Sequence, residues 1–212
     1  MKYSSRIFAF GVFIVTALAF AGSLMNGFVG LDDPRHVLDN PNIRGLDPAR
    51  LRWIFTTWHM GHYHPLTWLS YALDYALWGL DPRGFHLTSL ILHAGSAVLV
   101  FLSAREILKA ALPGRPRLDG CAAAAALFYA LHPLRVESVA WVSERRDVLS
   151  GLFFFAALLA HLRMAAATGR ADARRRRLAL HALFAGALLS KAVTVTLPPL
   201  LAATASAALR TR

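Results

Sequence analysis

The chain has 212 residues, 56% of them hydrophobic, and a formal net charge of +11. Ordinary soluble domains are roughly 45–50% apolar, and here the excess lies in blocks between charged loops, which disfavours a soluble helical domain and points to several membrane crossings. The basic run "RADARRRR" is a short loop between two such blocks, so topology explains it and nucleic acid is set aside as a partner.

Residues 7–29 form the first apolar stretch, uncharged and long enough to cross about 30 Å of hydrocarbon. Lys2 and Arg6 precede it, and Ala19-Phe20-Ala21 has the small-residue pattern of signal-peptide cleavage. The apolar run continues past that pattern to Val29, which favours a retained helix; under either reading the next loop lies outside. That loop, residues 30–84, opens on two adjacent acids, Asp32 and Asp33. Two short helices are expected within it. "DPARLRWIFTTW" offers Asp47 as a cap, Pro48 at the first helical position, and Leu51, Ile54 and Phe55 on one face. "HPLTWLSYALDYALWGL" places Leu66, Leu69, Leu73 and Leu77 near helical spacing, flanked by Trp68, Tyr71, Tyr75 and Trp78, and stops at Gly79. Both read as amphipathic helices lying in the membrane interface, where tryptophan and tyrosine rings prefer to sit. Plain packing onto the spans is the competing reading for the aromatics. Between the two, "HMGHYHP" clusters His59, His62 and His64, but the spacing is not that of a zinc helix. Cys121 is the only cysteine, so there is neither a disulfide framework nor a cysteine-based metal site, and no metal is assigned.

Further apolar stretches follow at about 85–108, 121–134, 148–164, 178–189 and 193–209, for six expected spans. The third is short and alanine-rich. Ser190 and Lys191 separate the last two, and Pro198 and Pro199 are expected to kink the last one. The loop at 135–147 alternates Glu137, Glu144 and Asp147 with Arg135, Arg145 and Arg146. With the N-terminus in the cytoplasm, the cytoplasmic segments carry 14 of the 23 bases and 3 of the 12 acids, so the whole +11 falls on one face, as the positive-inside rule expects. The expected fold is all-α: a polytopic membrane helical bundle, a single membrane domain over 1–212 with outer loops at 30–84, 135–147 and 190–192.

Four segments, "DDPRHVLDNPNIRGL", "HPLTWLSYALDYALWGLDPRGFHLTSLILHA", "LHPLRVESVAWVSERRDVLSGLFFF" and "LLSKAVTVTLPPLL", resemble the membrane part of the transmembrane and tetratricopeptide-repeat O-mannosyltransferases, and are closest to bacterial relatives. The likeness runs in order from about Gly30 to Leu201. It implies a GT-C fold with an active site on the extracytoplasmic side. It also implies a function: moving mannose or a similar hexose from a polyprenyl-phosphate donor to a hydroxyl acceptor, on protein serine or threonine. The family's later helices and its repeats do not occur in these residues. The chain therefore reads as a fragment, a truncated product, or a minimal relative whose partner chain supplies the rest. The alternative function is a non-catalytic membrane scaffold or assembly subunit, a remnant of such an enzyme.

Glycosyl transfer needs a base for the acceptor's proton and cations for the phosphate leaving group. The donor's lipid stays in the bilayer, so the catalytic acid belongs just outside a helix end. The resemblance carries the family's acidic catalytic motif to Asp32 and Asp33. Adjacent carboxylates also raise one another's proton affinity, which suits a base near neutral pH. Without the resemblance, "LDDP" reads as a turn cap. Which acid is the base stays open, as does a divalent cation held between them. Arg145, Arg146 and Lys191 are outer cations at span ends, and an arginine fork matches phosphate oxygens; pairing with Glu144 and Asp147 competes for the two arginines. Glu137 is a second acidic candidate, against a salt bridge to Arg135, and His132 a phosphate donor, against a capping role. A transporter would hold its ionisable groups near the bilayer midplane, whereas here they lie in loops and at span ends. Alanine- and arginine-rich composition with short loops points to a bacterial inner membrane. The expected partners are membrane lipid, the lipid-linked sugar and an acceptor protein.

Overall fold

A computed structural model describes residues 3–164 and 169–202, and every regular element among them is helical. The first helix, α1 (Tyr3–Phe20), tightens into a 3₁₀ turn over Ala21–Met25. Gly22 and Ser23 explain the change, because both are weaker helix formers than the residues before them; the Ser23 hydroxyl donates to the Phe20 carbonyl at 2.8 Å. Regular helix thus stops well short of Val29, and Asn26 is already extended.

The loop that follows contains α2 (Pro48–Thr56) and α3 (Pro65–Trp78). Asp47 caps α2 by accepting from the Ala49 and Arg50 amides, both at 3.2 Å, with Pro48 in the first turn. Gly79 ends α3 at φ 62°, a left-handed conformation that favours glycine. For Trp68 and Tyr71 of α3 the packing reading holds. Trp68 and Tyr71 are completely buried in a cluster with Val37, Ile43, Ile54, Phe85 and Val142, while Trp58, Leu77 and Trp78 stay exposed. Burying two large rings removes far more apolar area from water than an interfacial position would.

The long helix α4 (Pro82–Ala111) begins on Asp81, whose carboxylate accepts from the Arg83 amide at 3.0 Å. Its 30 residues give a rod about 45 Å long. Against it pack α1, α5 (Leu118–Ala130) and α7 (Arg145–Leu162), and α8 (Arg170–Ser190) packs on α7. The alanine face of α5 (Ala122, Ala126, Ala130) meets Ala97 and Phe101 of α4 and Val12 of α1, a small-residue seam that lets backbones approach closely. A short helix, α6 (Arg135–Ala140), and a 3₁₀ turn over Val142–Glu144 join α5 to α7.

Side-chain contacts set the helix directions. Arg105 of α4 meets Asp119 of α5 at 2.5 Å and His93 of α4 meets the Ala130 carbonyl at 3.0 Å, so these two run antiparallel. Arg145 reaches Ser89 at one end of α7 and Arg163 reaches Glu106 at the other, so α4 and α7 run parallel. Asp147 pairs with Lys191 while Arg176 donates to the Arg163 carbonyl, so α7 and α8 are antiparallel. One end of the bundle therefore gathers residues 26–86, 131–147 and 191; the other gathers the N-terminus of α1, the C-terminus of α4 and the start of α5.

Two helices, Ser4–Met25 and Pro82–Ala111, are long and apolar enough to cross a membrane, and Leu118–Ala130 and Ala192–Ala202 are apolar but shorter. The helices at the other expected spans start on charge: "RRD" opens α7 and "RADARRRR" opens α8. The expected proline kink is absent among the described residues. After a 3₁₀ turn over Ala192–Thr196, Pro198 and Pro199 occupy the first turn of a new helical segment, where no amide donor is needed. Residues 203–209 of the expected last span lie outside the described residues.

Candidate functional site

The adjacent acids of the first loop part company. Asp33 is completely buried. One of its oxygens accepts from the Val29 amide at 2.7 Å; the other accepts from the Ser143 amide at 2.9 Å and from the Ser143 hydroxyl. It thereby ties the loop after α1 to the 3₁₀ turn before α7, 110 positions away in sequence. Asp32 is half-buried, and among the described residues its carboxylate makes no hydrogen bond or ion pair. Its carbonyl holds the His36 ring at 2.9 Å. His36 in turn stacks on Trp68, with centroids 5.2 Å apart and planes 18° apart. Burial pushes the His36 ring below its ordinary pKa, and His36 lies within the fields of both Asp32 and Arg146.

The 3₁₀ turn carries Ser143 and Glu144 straight into α7, so Arg145, Arg146 and Asp147 fan out from its first turn. Arg145 faces inward and is completely buried. It pairs with Asp74 of α3, donates to the Ser89 hydroxyl at 3.3 Å and the Phe85 carbonyl at 2.5 Å, and lies over the Tyr71 and Phe85 rings. Thr88 completes Asp74 at 2.7 Å. Every nitrogen of this guanidinium has a partner, so Arg145 fastens α7 to α3 and α4 and offers no face to a phosphate.

Arg146 and Lys191 are arranged differently. Arg146 grips Glu144 through Nε and Nη2, leaving Nη1 without an intramolecular hydrogen bond. Lys191 pairs with Asp147 and lies 3.5 Å from Glu144. An ammonium has three donors, so one remains. Burial pushes the Glu144 carboxyl up, but the hydrogen bond and charge of Arg146, together with Lys191, outweigh it and hold Glu144 below the usual glutamate range. Thr67 of α3 donates to the Ser190 carbonyl at 3.1 Å, which fixes the end of α8 and with it Lys191.

His64, which the sequence offered only as one of a histidine cluster without zinc spacing, is more than an ordinary polar loop residue. The residue before α3 is 6% exposed, and neither ring nitrogen has a hydrogen-bond partner. Burial, then the neighbouring His62, Arg146, His36 and Lys191, push it down to about 4, so the ring is neutral at pH 7. "HYHP" places it directly before the proline that opens α3, but nothing in the local sequence marks it as buried. Sequence reasoning missed Ser143 and Asp74, since serine in "SERRD" and aspartate amid "SYALDYAL" look ordinary without their distant partners.

Glu137 and His132 fall outside this group of contacts. Glu137 is exposed and makes no ion pair with Arg135; Arg135 instead lies over the Tyr129 ring at 4.5 Å. His132 accepts from the Leu134 amide at 3.3 Å, a local turn contact. Among the described residues no set of three or more His, Cys, Asp or Glu gathers as a metal site.

The arrangement thus supplies a half-buried carboxylate, Asp32, next to His36, whose ring in turn lies within the field of Arg146, while Arg146 and Lys191 keep spare donors around Glu144. A free carboxylate can accept a proton, and the spare donors of Arg146 and Lys191 can hold an anionic oxygen. Comparison with known proteins gives relatives of one kind. The chain is 36% identical over 159 residues to protein O-mannosyl-transferase Tmtc1 of Drosophila melanogaster, covering 70% of this chain and 18% of that protein. It is 34% identical over 158 residues to protein O-mannosyl-transferase TMTC3 of Homo sapiens, covering 71% and 16%. It is 34% identical over 162 residues to protein O-mannosyl-transferase TMTC4 of Homo sapiens, covering 69% and 22%. The chain spans about a fifth of the length of the curated relatives it matches. No family model and no solved structure matches it.

Proposed function

This chain belongs with the TMTC protein O-mannosyl-transferases, and on that premise we propose that it carries the sugar-transfer site of a GT-C-type membrane glycosyltransferase. The donor is a polyprenyl-phosphate-linked hexose, mannose in keeping with the relatives' names, and the acceptor a serine or threonine hydroxyl of a protein. The site faces away from the cytoplasm, at a bacterial inner membrane, with the chain's N-terminus cytoplasmic.

The observation that carries the catalytic reading is the division of labour between the two acids. Asp33 is locked by Val29 and Ser143, so it positions the loop. Asp32 keeps its carboxylate unengaged and takes the proton of the acceptor hydroxyl. As that oxygen bonds to the anomeric carbon, the bond from carbon to phosphate oxygen breaks and the lipid phosphate leaves with the electron pair. Arg146 Nη1, the spare Lys191 donor and a ring N–H of His64 receive the growing phosphate charge, a stabilisation that strengthens in the transition state.

The test is Asp32→Asn in the full chain, reconstituted with polyprenyl-phosphate mannose and an acceptor peptide. Transfer is expected to fall by at least about 10²-fold, in the range typical for loss of a general base, with melting behaviour unchanged. Asp33→Asn is expected to lower the melting temperature as well, since an amide cannot accept all three bonds. Equal transfer by Asp32→Asn and the parent chain would remove Asp32 from the chemistry.

A further inference from the structure

The opposite end of the bundle holds a second feature. A cleft of about 1120 Å³ opens where the start of α1, the end of α4, the start of α5 and Arg163 of α7 meet. Its floor is an ion-pair network: Arg105, 6% exposed, joins Asp119 at 2.5 Å and Glu106 at 3.7 Å, and Arg163 reaches Glu106 at 3.9 Å. These charges satisfy each other and hold the cleft's shape. Its rim is different. Lys109, Arg115 and Arg117 line the cleft, are exposed, and have no carboxylate partner among the described residues. Three unpaired cations around one cavity create a field for an anion that the floor does not cancel.

Arg117 adds a second observation. It sits at φ 63°, left-handed, directly before α5. A residue with a Cβ holds this conformation at a cost of about 1 kcal/mol or more, and glycine would hold it freely. At the cleft wall Phe8 and Leu118 supply an apolar surface beside the cations.

We propose that this cleft binds the phosphate of an anionic phospholipid headgroup, with the start of an acyl chain along Phe8 and Leu118. The ends of two long apolar helices, α1 and α4, bracket the cleft, which puts it at headgroup depth. Basic pockets between spans on the cytoplasmic side take such headgroups. The inference rests on the membrane placement proposed above and not on the transferase reading.

The experiment uses the full chain in lipid nanodiscs and reads retained lipid by native mass spectrometry. Phosphatidylglycerol is expected to be retained in preference to phosphatidylcholine. Changing Lys109, Arg115 or Arg117 to Gln is expected to weaken retention by about fivefold each, the value of one cation near an anionic surface. Arg117→Gly is expected to raise the melting temperature while still lowering retention, a combination that a purely structural role for Arg117 does not produce. Equal retention of the two lipids, or full phosphatidylglycerol retention by the triple Gln variant, overturns the proposal. Displacement of the lipid by millimolar inorganic phosphate would make the ligand a free anion and overturn the lipid assignment. None of these outcomes bears on sugar transfer, so failure here and failure of Asp32→Asn remain distinguishable.

Discussion

His64 shows how one side chain ties the site to pH. Unfolded, its imidazole titrates near 6.5; in the fold burial brings it to about 4. Between those values the unfolded chain binds a proton that the folded chain refuses. Stability is therefore full above about 6.5 and drains away as pH falls towards 4. A shift of this size is worth on the order of 3 kcal/mol. Unfolding of the detergent-solubilised chain between pH 7.5 and 4 should show this slope, and His64→Phe should flatten it while leaving stability at pH 7.5 nearly unchanged. Phe keeps an aromatic ring at the position and leaves no ring nitrogen to protonate, so an identical slope in the variant would place the acid sensitivity elsewhere. Individual residues were legible only where their neighbours in sequence announce them. Asp47 before Pro48 reads as a cap and is one. Arg145 and Arg146 look alike on paper, yet one is wholly buried and the other keeps a free donor, because successive positions of a helix point about 100° apart.

At the scale of elements, the junction of α3 and α4 is the tightest. A Cβ at Gly84 would lie 2.2 Å from Trp78 Cγ and 2.6 Å from Trp78 Cβ. The contact is with the root of the side chain, so the ring cannot simply swing aside. Gly84→Ala should destabilise the fold by about 1–3 kcal/mol, seen as a lower melting temperature in detergent, whereas Gly120→Ala, which meets nothing within 4 Å, should not. The helices of the first loop were readable from proline, aspartate and glycine punctuation. Their burial was one of two readings, because an amphipathic stripe with Trp68 and Tyr71 fits a membrane interface and a protein core equally well. Hydropathy also set the end of the first span too far along: Met25 to Val29 are apolar enough to extend it, but Gly22, Ser23 and Gly27 weaken helix there.

Over the whole molecule, helix direction sorts the charges into two ends. The end bearing Asp32 mixes acids and bases, and the end bearing Lys109, Arg115 and Arg117 is mostly basic. In a Cys121→Ala background, single cysteines at Leu31 and Arg115 should react with a membrane-impermeant maleimide from opposite faces, Leu31→Cys from outside and Arg115→Cys from the cytoplasm. Labelling of both from one face would refute the proposed placement. Helical class was plain from the apolar blocks; the meeting of distant loops was not, since Asp33 and Ser143 share no local pattern. That clasp has a consequence for biosynthesis. While the ribosome is still making α5, the carboxylate destined for Ser143 has no mate and must stay hydrated, so the first loop stays loose until the chain beyond residue 143 emerges. Maturation of this pocket is therefore a late event in translation, and a protease that cuts the unlatched loop should attack nascent chains arrested near residue 130 far faster than those arrested past residue 190.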